Sequence, residues 1–378
     1  LMQNRGIMTE RKTHEEDTLL KTRMNRRRAL STGAKVGVAA GVAAVAFGAG
    51  GYLAGTMMAP EKIVERTATT TVTQAAQTIT STVTAAGVTG PRYKFTFVGH
   101  WTGDDPFHAP LKKGFEDCCN LYGIDHAWTM SSDMPTQLAM LETAIAGKPD
   151  GIVSTFMDPR TMNPAVKKAI GMGIPVIGSN VDAPESGRLA YVGQDLYAGG
   201  YVLGKYVAPM LPKGAHVLIP AELPGLTYAI ERSRGIVDGI KLTDPTMTYE
   251  ILDHTMERAK GEARIVGYLE GHPETKAVLG VGGITTGVTS TVLRAKDLKG
   301  KVVGGGFDLT PDTNAGIKDG FMAASIDQQP YLQGYLPALM IWFYLQYKLD
   351  PWSVETLVGV VDKNNVDAVL ELAKQGYR

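Results

Sequence analysis

The sequence predicts an α/β protein built from two similar, doubly wound lobes, each around a parallel sheet. Two observations support this class. From residue 92 onward, short β-rich runs alternate with helical patterns, which is typical of parallel sheets with crossover helices. The same pattern then recurs further along the chain, which indicates an internal duplication.

The first half of this body carries the clearest elements. Strands are predicted at 94–99, 151–156 and 175–179, and helices at 109–122 and 162–171. The first helix places Leu111, Phe115, Cys119 and Tyr122 on one face, as expected for a helix that covers a sheet. Because cysteines adjacent in sequence rarely bridge, we expect at least one of Cys118 and Cys119 to be a small core residue.

Three short matches define the repeat. Gly114 matches Gly235, an offset of 235 − 114 = 121; the glycines at 147 and 271 differ by 124, and Asn180 and Asp308 by 128. A helix-rich segment at 331–347 then follows Gln328, so the chain must return to its first lobe. We therefore expect three crossing strands near 194–195, 328–329 and 356–358, with lobe 1 formed by 92–194 and 329–356 and lobe 2 by 195–328 and 357–378.

The amino-terminal region is predicted to direct export. Residues 1–35 carry nine Lys/Arg against four Asp/Glu, and three arginines at 26–28 precede an uncharged stretch over 36–60. This pattern indicates a twin-arginine signal or a signal-anchor helix. We expect 1–35 to be a cytoplasmic tail with a basic signal region, 36–58 an apolar signal or anchor helix in the membrane, and 59–91 a Thr-rich extended stalk. The body would then be extracytoplasmic, on the cell surface or in the periplasm.

Composition argues against several function classes. Residues 36–378 hold 29 Lys/Arg and 34 Asp/Glu, a net charge of −5 that suits nucleic acid poorly. No helix-turn-helix precedes the body, which argues against a transcription regulator. The glycine runs at 280–283 and 304–306 lack the dinucleotide-binding pattern, and no Cys/His cluster or nucleophile–base pair is evident. We therefore expect no enzyme activity, no cofactor and no metal.

Ligands of open α/β sheets bind beyond the carboxyl ends of the strands. Polar and aromatic residues follow the predicted strands at 101–108, at Asn180 and Asp182, at Glu222, and at Phe307 and Asp308. Carboxylates, amides and aromatic rings on two facing edges suit a polyol, because planar polar groups bind its hydroxyls and rings stack on its C–H faces.

A set of short motifs in a fixed order carries a family resemblance. They are Asp-Pro-Phe-His at 105–108, Ile-Pro-Val-Ile at 174–177, Val-Gly-Gln-Asp at 192–195, Glu-Arg-Ser-Arg-Gly at 231–235, Gly-Phe-Asp-Leu-Thr-Pro-Asp at 306–312, and Gln328. Over about residues 93–362 the chain resembles the type 1 periplasmic binding proteins, the ribose- and galactose-binding group. The resemblance implies a receptor that closes two lobes over a sugar and delivers it to the permease of an ABC importer.

The resemblance also implies roles for individual residues. In lobe 1, Asp105 stands where an asparagine binds a sugar hydroxyl, Phe107 is the stacking ring, His108 replaces a second aromatic, and Trp101 occupies a first-strand contact position. In lobe 2 and the hinge, the implied ligands are Arg232, the Asp308 carboxylate with Phe307 beside it, and the Gln328 amide. With Asn180 and Glu222 from the strand ends, these make ten candidate ligand-binding residues.

Some positions depart from the family pattern and leave the ligand open. Asn180 and Val181 stand where an Asp-Arg pair binds ribose, Gly282 replaces an amide side chain, and Met256 replaces an aromatic. The alternatives are a larger sugar, a nucleoside or furanosyl signal molecule, or a role as a sensory receptor. Purely structural roles also remain open: Asp308 could cap the helix that begins near Pro311, and Phe107 could be a core residue.

Overall fold

The computed structural model describes residues 66–74, 77–85, 92–103 and 105–378, in two units, 1–87 and 88–378. In the first unit, β1 (Arg66–Gln74) pairs antiparallel with β2 (Gln77–Ala85), from Arg66 opposite Ala85 to Gln74 opposite Gln77. These strands lie within the Thr-rich run predicted as an extended stalk, and threonine has high β-propensity. The predicted apolar helix at 36–58 and the basic segment before it lie outside the described residues.

The second unit alternates strands and helices. Its strands are β3 (Lys94–Gly99), β4 (Asp125–Met130), β5 (Gly151–Ser154), β6 (Val176–Ser179), β7 (Ala190–Gly193), β8 (His216–Ala221), β9 (Thr248–Asp253), β10 (Thr275–Leu279), β11 (Val303–Phe307), β12 (Met322–Asp327), β13 (Val354–Glu355) and β14 (Gly359–Asp362). Its α-helices are α1 (His108–Leu121), α2 (Met134–Ala146), α3 (Pro159–Gly171), α4 (Leu196–Val207), α5 (Thr227–Thr243), α6 (Arg258–Gly271), α7 (Gly283–Ala295), α8 (Pro311–Asp319), α9 (Pro330–Tyr347) and α10 (Val366–Lys374).

These strands form two six-stranded sheets with equivalent strand orders. Lobe 1 has the order β4-β3-β5-β6-β7-β13, and lobe 2 has β9-β8-β10-β11-β12-β14. All neighbours in lobe 1 are parallel, and in lobe 2 only β14 runs antiparallel to its neighbour β12. The predicted fold class, two similar parallel-sheet α/β lobes, is confirmed.

The chain passes between the two sheets three times. It leaves lobe 1 after β7 at 194–195, returns after β12 at 328–329, and leaves again between β13 and β14 at 356–358. Glutamine side chains connect these crossings: Gln194 Nε2 donates to Leu357 O over 3.2 Å, and Gln329 Nε2 donates to Thr356 O over 2.9 Å. The three segments therefore form one hydrogen-bonded hinge.

In each lobe, glycines bring one pair of helices into close contact. A Cβ on Gly114 of α1 would lie 2.0 Å from Tyr331 O of α9, and one on Gly235 of α5 would lie 2.2 Å from Tyr197 O of α4. These two glycines are the first matched pair of the sequence repeat, and they occupy equivalent places in the two lobes.

The hydrophobic core follows the predicted pattern. Leu111, Phe115 and Cys119 are fully buried on α1, and the expected role of the cysteines is confirmed, since Cys118 and Cys119 are both buried and unbridged. Among the described helices, none combines the length and the apolar character needed to cross a bilayer.

Candidate functional site

A cavity with about 50 Å³ of free volume lies between the two lobes, beyond the carboxyl ends of their strands. Its lining comprises His100, Trp101, Asp105, Phe107, Met157 and Asn180 from lobe 1, Glu222, Leu223, Leu226, Tyr228, Arg232, Met256, Gly282, Gly283, Ile284 and Asp308 from lobe 2, and Gln328 from the hinge. Most of these residues are buried between the two lobes, so the cleft is largely closed in this structure.

Asn180 and Asp308, the third matched pair of the repeat, face each other across the hinge. Each follows the last residue of an equivalent strand, β6 or β11, and each has a left-handed backbone, with φ of 62° and 71°. Asn and Asp tolerate this conformation better than most residues. Gln328 lies between them: its Nε2 donates to Asp308 Oδ1 over 2.5 Å, and its Oε1 lies 3.4 Å from Asn180 Nδ2.

Three carboxyl groups share the cavity. Asp105 Oδ1 accepts a hydrogen bond from Phe107 N over 3.0 Å, and Glu222 Oε1 accepts from Thr285 N over 2.9 Å. Burial, with a smaller contribution from the carboxyls of Asp308 and Glu222, raises the pKa of Asp105 to about 7 against the opposing hydrogen bond from Phe107 N. Burial also raises the pKa of Asp308 to about 6, against the opposing effect of the Arg232 guanidinium.

Arg232 is the one cation of this lining. Its guanidinium lies 4.1 Å from the centre of the Phe307 ring, and one terminal nitrogen donates to Val281 O over 2.8 Å. Within the described part of the chain, Arg232 Nε and Glu222 Oε2 are buried polar atoms without a hydrogen-bond partner. Such atoms are costly to leave unpaired, so they identify where a ligand would bind.

Aromatic rings form the lobe 1 wall. Trp101 packs 5.7 Å from Phe107 and 4.5 Å from His100, measured between ring centres. His100 Nδ1 contacts Thr155 Oγ1 over 2.7 Å, and burial, with the Arg232 charge, lowers the pKa of His100 to about 3. This imidazole is therefore neutral near pH 7 and belongs to the uncharged part of the wall.

The structure brings eight of the ten predicted residues into the cavity lining and places two elsewhere. His108 turns its Nδ1 back to Asp105 O over 2.5 Å. Phe307 is fully buried beneath Arg232, because neighbouring residues at a strand end point to opposite sides and Asp308 takes the cavity side. Neither would touch a ligand directly in this closed arrangement.

The structural alternatives for Asp308 and Phe107 are also resolved. Thr310 caps α8, its hydroxyl accepting from Thr313 N, so Asp308 is not the cap. Phe107 belongs both to the lobe 1 core and to the cavity wall. Asp182, also noted in the sequence, pairs with Arg188 outside the lining.

Sequence reasoning missed seven lining residues: His100, Met157, Leu223, Leu226, Tyr228, Gly283 and Ile284. His100 directly follows β3, so the rule that ligands bind beyond strand ends could have found it. Tyr228 lies in the first turn of α5 and Met157 in the loop after β5, and no local motif marks either.

Residues 95–349 match the family model described as periplasmic binding protein domain. The chain belongs to the periplasmic binding protein family.

Individual relatives agree with the assignment. The xylose/arabinose-binding protein of Sulfolobus acidocaldarius is 31% identical over 93% of this chain and 89% of its own length. A solute-binding protein of Burkholderia graminis, solved in complex with D-arabinose, has a TM-score of 0.67 at 26% identity, covering 72% of this chain and 96% of that one. A carbohydrate transporter protein of Acidothermus cellulolyticus, in complex with myo-inositol, gives 0.69 at 26% identity over 76% and 100%. These relatives are binding proteins rather than enzymes.

Proposed function

We propose that this protein is the extracytoplasmic receptor of an ABC importer and that it encloses a monosaccharide between its lobes. The observation that carries the proposal is the pair of buried, unpartnered polar atoms, Glu222 Oε2 and Arg232 Nε, in a cavity closed by both lobes. One atom accepts and the other donates a hydrogen bond, as the hydroxyls of a neutral polyol require. The aromatic wall beside them suits the C–H face of a sugar ring.

The charge of the cavity favours a neutral ligand. Three carboxyls oppose one guanidinium, so an anionic ligand would be repelled. The cavity is small, which favours a compact ring over a nucleoside. Because named relatives bind xylose, arabinose or ribose, we propose an aldopentose as the ligand.

We assign roles to the eight lining residues among the ten candidates. Asp105, Asn180, Glu222, Arg232, Asp308 and Gln328 bind hydroxyls, and Trp101 and Phe107 pack against the ring. His108 and Phe307 act indirectly, through Asp105 and Arg232 respectively. The proposed mechanism is closure about the three-segment hinge with no covalent step.

Binding measurements test this function. We expect D-xylose, L-arabinose, D-arabinose or D-ribose to raise the Tm of the protein, since a ligand that binds only the folded state stabilises it by mass action. Asp308→Ala should weaken binding of that sugar by about tenfold to a few hundredfold, because a charge-assisted hydrogen bond contributes about 1.5–3 kcal/mol.

The matched control is Asp312→Ala, which removes a carboxylate that pairs with Arg258 outside the cavity. It should bind the sugar like the wild type, as measured by calorimetry. If none of the sugars raises the Tm but a nucleoside does, the ligand is a nucleoside and the proposed ligand class is wrong.

We also propose that the amino-terminal region exports and tethers the receptor. The support is sequence alone: three arginines at 26–28 followed by an uncharged stretch over 36–60. The body would then stand on the outer side of the membrane, next to its permease. Fractionation of cells that express the chain with and without residues 36–58 tests this. If both forms appear equally in the soluble fraction, the segment is not a tether.

A further inference from the structure

Glu222 and Gly282 lie against each other in the cavity, and we propose that this pair determines which sugar hydroxyl the receptor requires. In this view the Glu222 carboxylate fills the space that a side chain at position 282 would otherwise occupy, and it presents one oxygen to the ligand. The inference rests on the proposed sugar-binding function and refines it to a single hydroxyl.

The space beside Gly282 belongs to the Glu222 carboxylate. A Cβ built on Gly282 would lie 2.6 Å from Glu222 Oε1 and 2.9 Å from Oε2, closer than side chains approach one another. The backbone of Gly282 is extended, with φ of −151°, which any residue can adopt. A side chain at position 282 would therefore displace the Glu222 carboxylate, so the constraint on this position is one of space and not of backbone conformation.

The carboxylate is held at one oxygen and free at the other. Glu222 follows the last residue of β8, and its Oε1 accepts from Thr285 N over 2.9 Å and contacts Thr285 Oγ1 over 3.0 Å, in the first turn of α7. Oε2 is buried and has no partner among the residues that the structure describes. A fixed carboxylate with one unused oxygen is a preorganised acceptor.

This arrangement selects ligands that carry a hydrogen-bond donor opposite Glu222 Oε2. A carboxylate oxygen accepts hydrogen bonds, so the matching ligand group must be a hydroxyl that donates. A ligand without that hydroxyl would leave Oε2 buried and unpaired. Sites built around such a bond reject analogues that lack the group far more strongly than a hydrophobic pocket rejects a change of one methylene.

Deoxy sugars test the selection directly. The probe is whichever of D-xylose, L-arabinose, D-arabinose and D-ribose binds the wild type most tightly, together with its monodeoxy analogues, measured by calorimetry. For one analogue we expect the wild type to lose about a hundredfold or more in affinity. Glu222→Ala should bind the parent sugar and that analogue within about threefold of each other, because the acceptor is gone.

A second set of variants tests the coupling to Gly282. Gly282→Ala should weaken the parent sugar by about tenfold or more, since the added methyl must displace the carboxylate. In the double variant with Glu222→Ala, the change at 282 should cost no further affinity. Gly267→Ala, at a glycine of the same lobe where a Cβ meets open space, is the matched control and should bind like the wild type.

The outcomes separate this inference from the function on which it rests. If the wild type binds none of the sugars, the proposed function fails. If it binds one, but Glu222→Ala keeps the discrimination or Gly282→Ala binds normally, the function stands and this inference is wrong. Glu222→Gln keeps the side-chain shape while replacing an acceptor with a donor, so a tenfold loss in a variant with unchanged Tm supports the inference even if Glu222→Ala is unstable.

Discussion

At the scale of single residues, Asp105 shows how burying a carboxyl in the closed cleft makes the stability of the protein depend on pH. Its carboxyl lies in a buried site near the carboxyls of Asp308 and Glu222, and its pKa is raised from 3.8 to about 7. The folded protein therefore binds a proton that the unfolded chain releases between about pH 4 and 7. Stability from this group is fully present below pH 3.8 and is lost as the pH rises through 7.

Asp105→Asn should remove this pH dependence. The amide keeps the acceptor for Phe107 N but has no charge to desolvate. At pH 8 we expect the variant to gain about 2–4 kcal/mol in free energy of unfolding relative to the wild type when the cleft is closed, and less when it is open. At pH 4 it should gain almost none in either state. Urea unfolding across this range measures the difference.

Asp297→Asn serves as the control, because it removes an exposed carboxylate from a left-handed position that asparagine tolerates. Its stability difference from the wild type should be the same at pH 4 and pH 8. A wild type and Asp105→Asn that differ equally at both pH values would contradict the assigned pKa.

Part of the site could be predicted from the sequence at this scale. Asn180 and Asp308 follow strands directly, Asp105 lies in the loop after β3, and the strand-end rule places all three at the cleft. The rule does not give the direction of each side chain, which is why Phe307 and His108 were predicted as ligand contacts. Tyr228 was missed because it lies in the first turn of α5, outside the motif at 231–235.

At the scale of elements, glycine-mediated contact between helices holds each lobe together. In lobe 2, a Cβ on Gly200 would lie 2.1 Å from Arg232 O, and one on Gly204 would lie 2.3 Å from Ile236 O. The α4–α5 pair thus fixes the backbone that carries the Arg232 guanidinium. Packing and ligand binding share the same helix.

Gly204→Ala should destabilise the protein by about 1–3 kcal/mol or more, because the methyl must push α4 away from α5. Gly267→Ala, at an exposed position of α6, should instead be neutral or should stabilise the protein by up to about 1 kcal/mol through helix propensity. Thermal and urea unfolding of both variants make the comparison. A Gly204→Ala variant as stable as Gly267→Ala would show that the helices can separate without cost.

Element boundaries followed from sequence to within a few residues. The strand predicted at 151–156 ends at Ser154, because Thr155 leaves the sheet to contact His100 and Gln137. The helix predicted at 162–171 begins at Pro159, with Asp158 as its cap. Both differences arise from local caps and contacts that hydrophobic periodicity does not register.

At the scale of the whole molecule, the duplication accounts for the architecture. The two sheets share one strand order, and the matched pairs Gly114 and Gly235, and Asn180 and Asp308, occupy equivalent places. The three crossings could be predicted because the lobe 2 segments are inserted between lobe 1 segments along the chain, so the chain must pass from one lobe to the other each time. The pairing of β1 with β2 could not, because a Thr-rich run favours extended backbone without specifying its partner.

Closure of the two lobes over a sugar is the central claim, because every proposed ligand contact depends on it. Both lobes supply polar groups to the cavity, so a sugar held by one lobe alone would leave the other unpaired, and the closed state gains the differential affinity that shifts the population. Small-angle X-ray scattering of the protein, with and without the sugar that raises its Tm, tests this directly. We predict a smaller radius of gyration at saturating sugar, and an unchanged radius with proven binding would contradict closure.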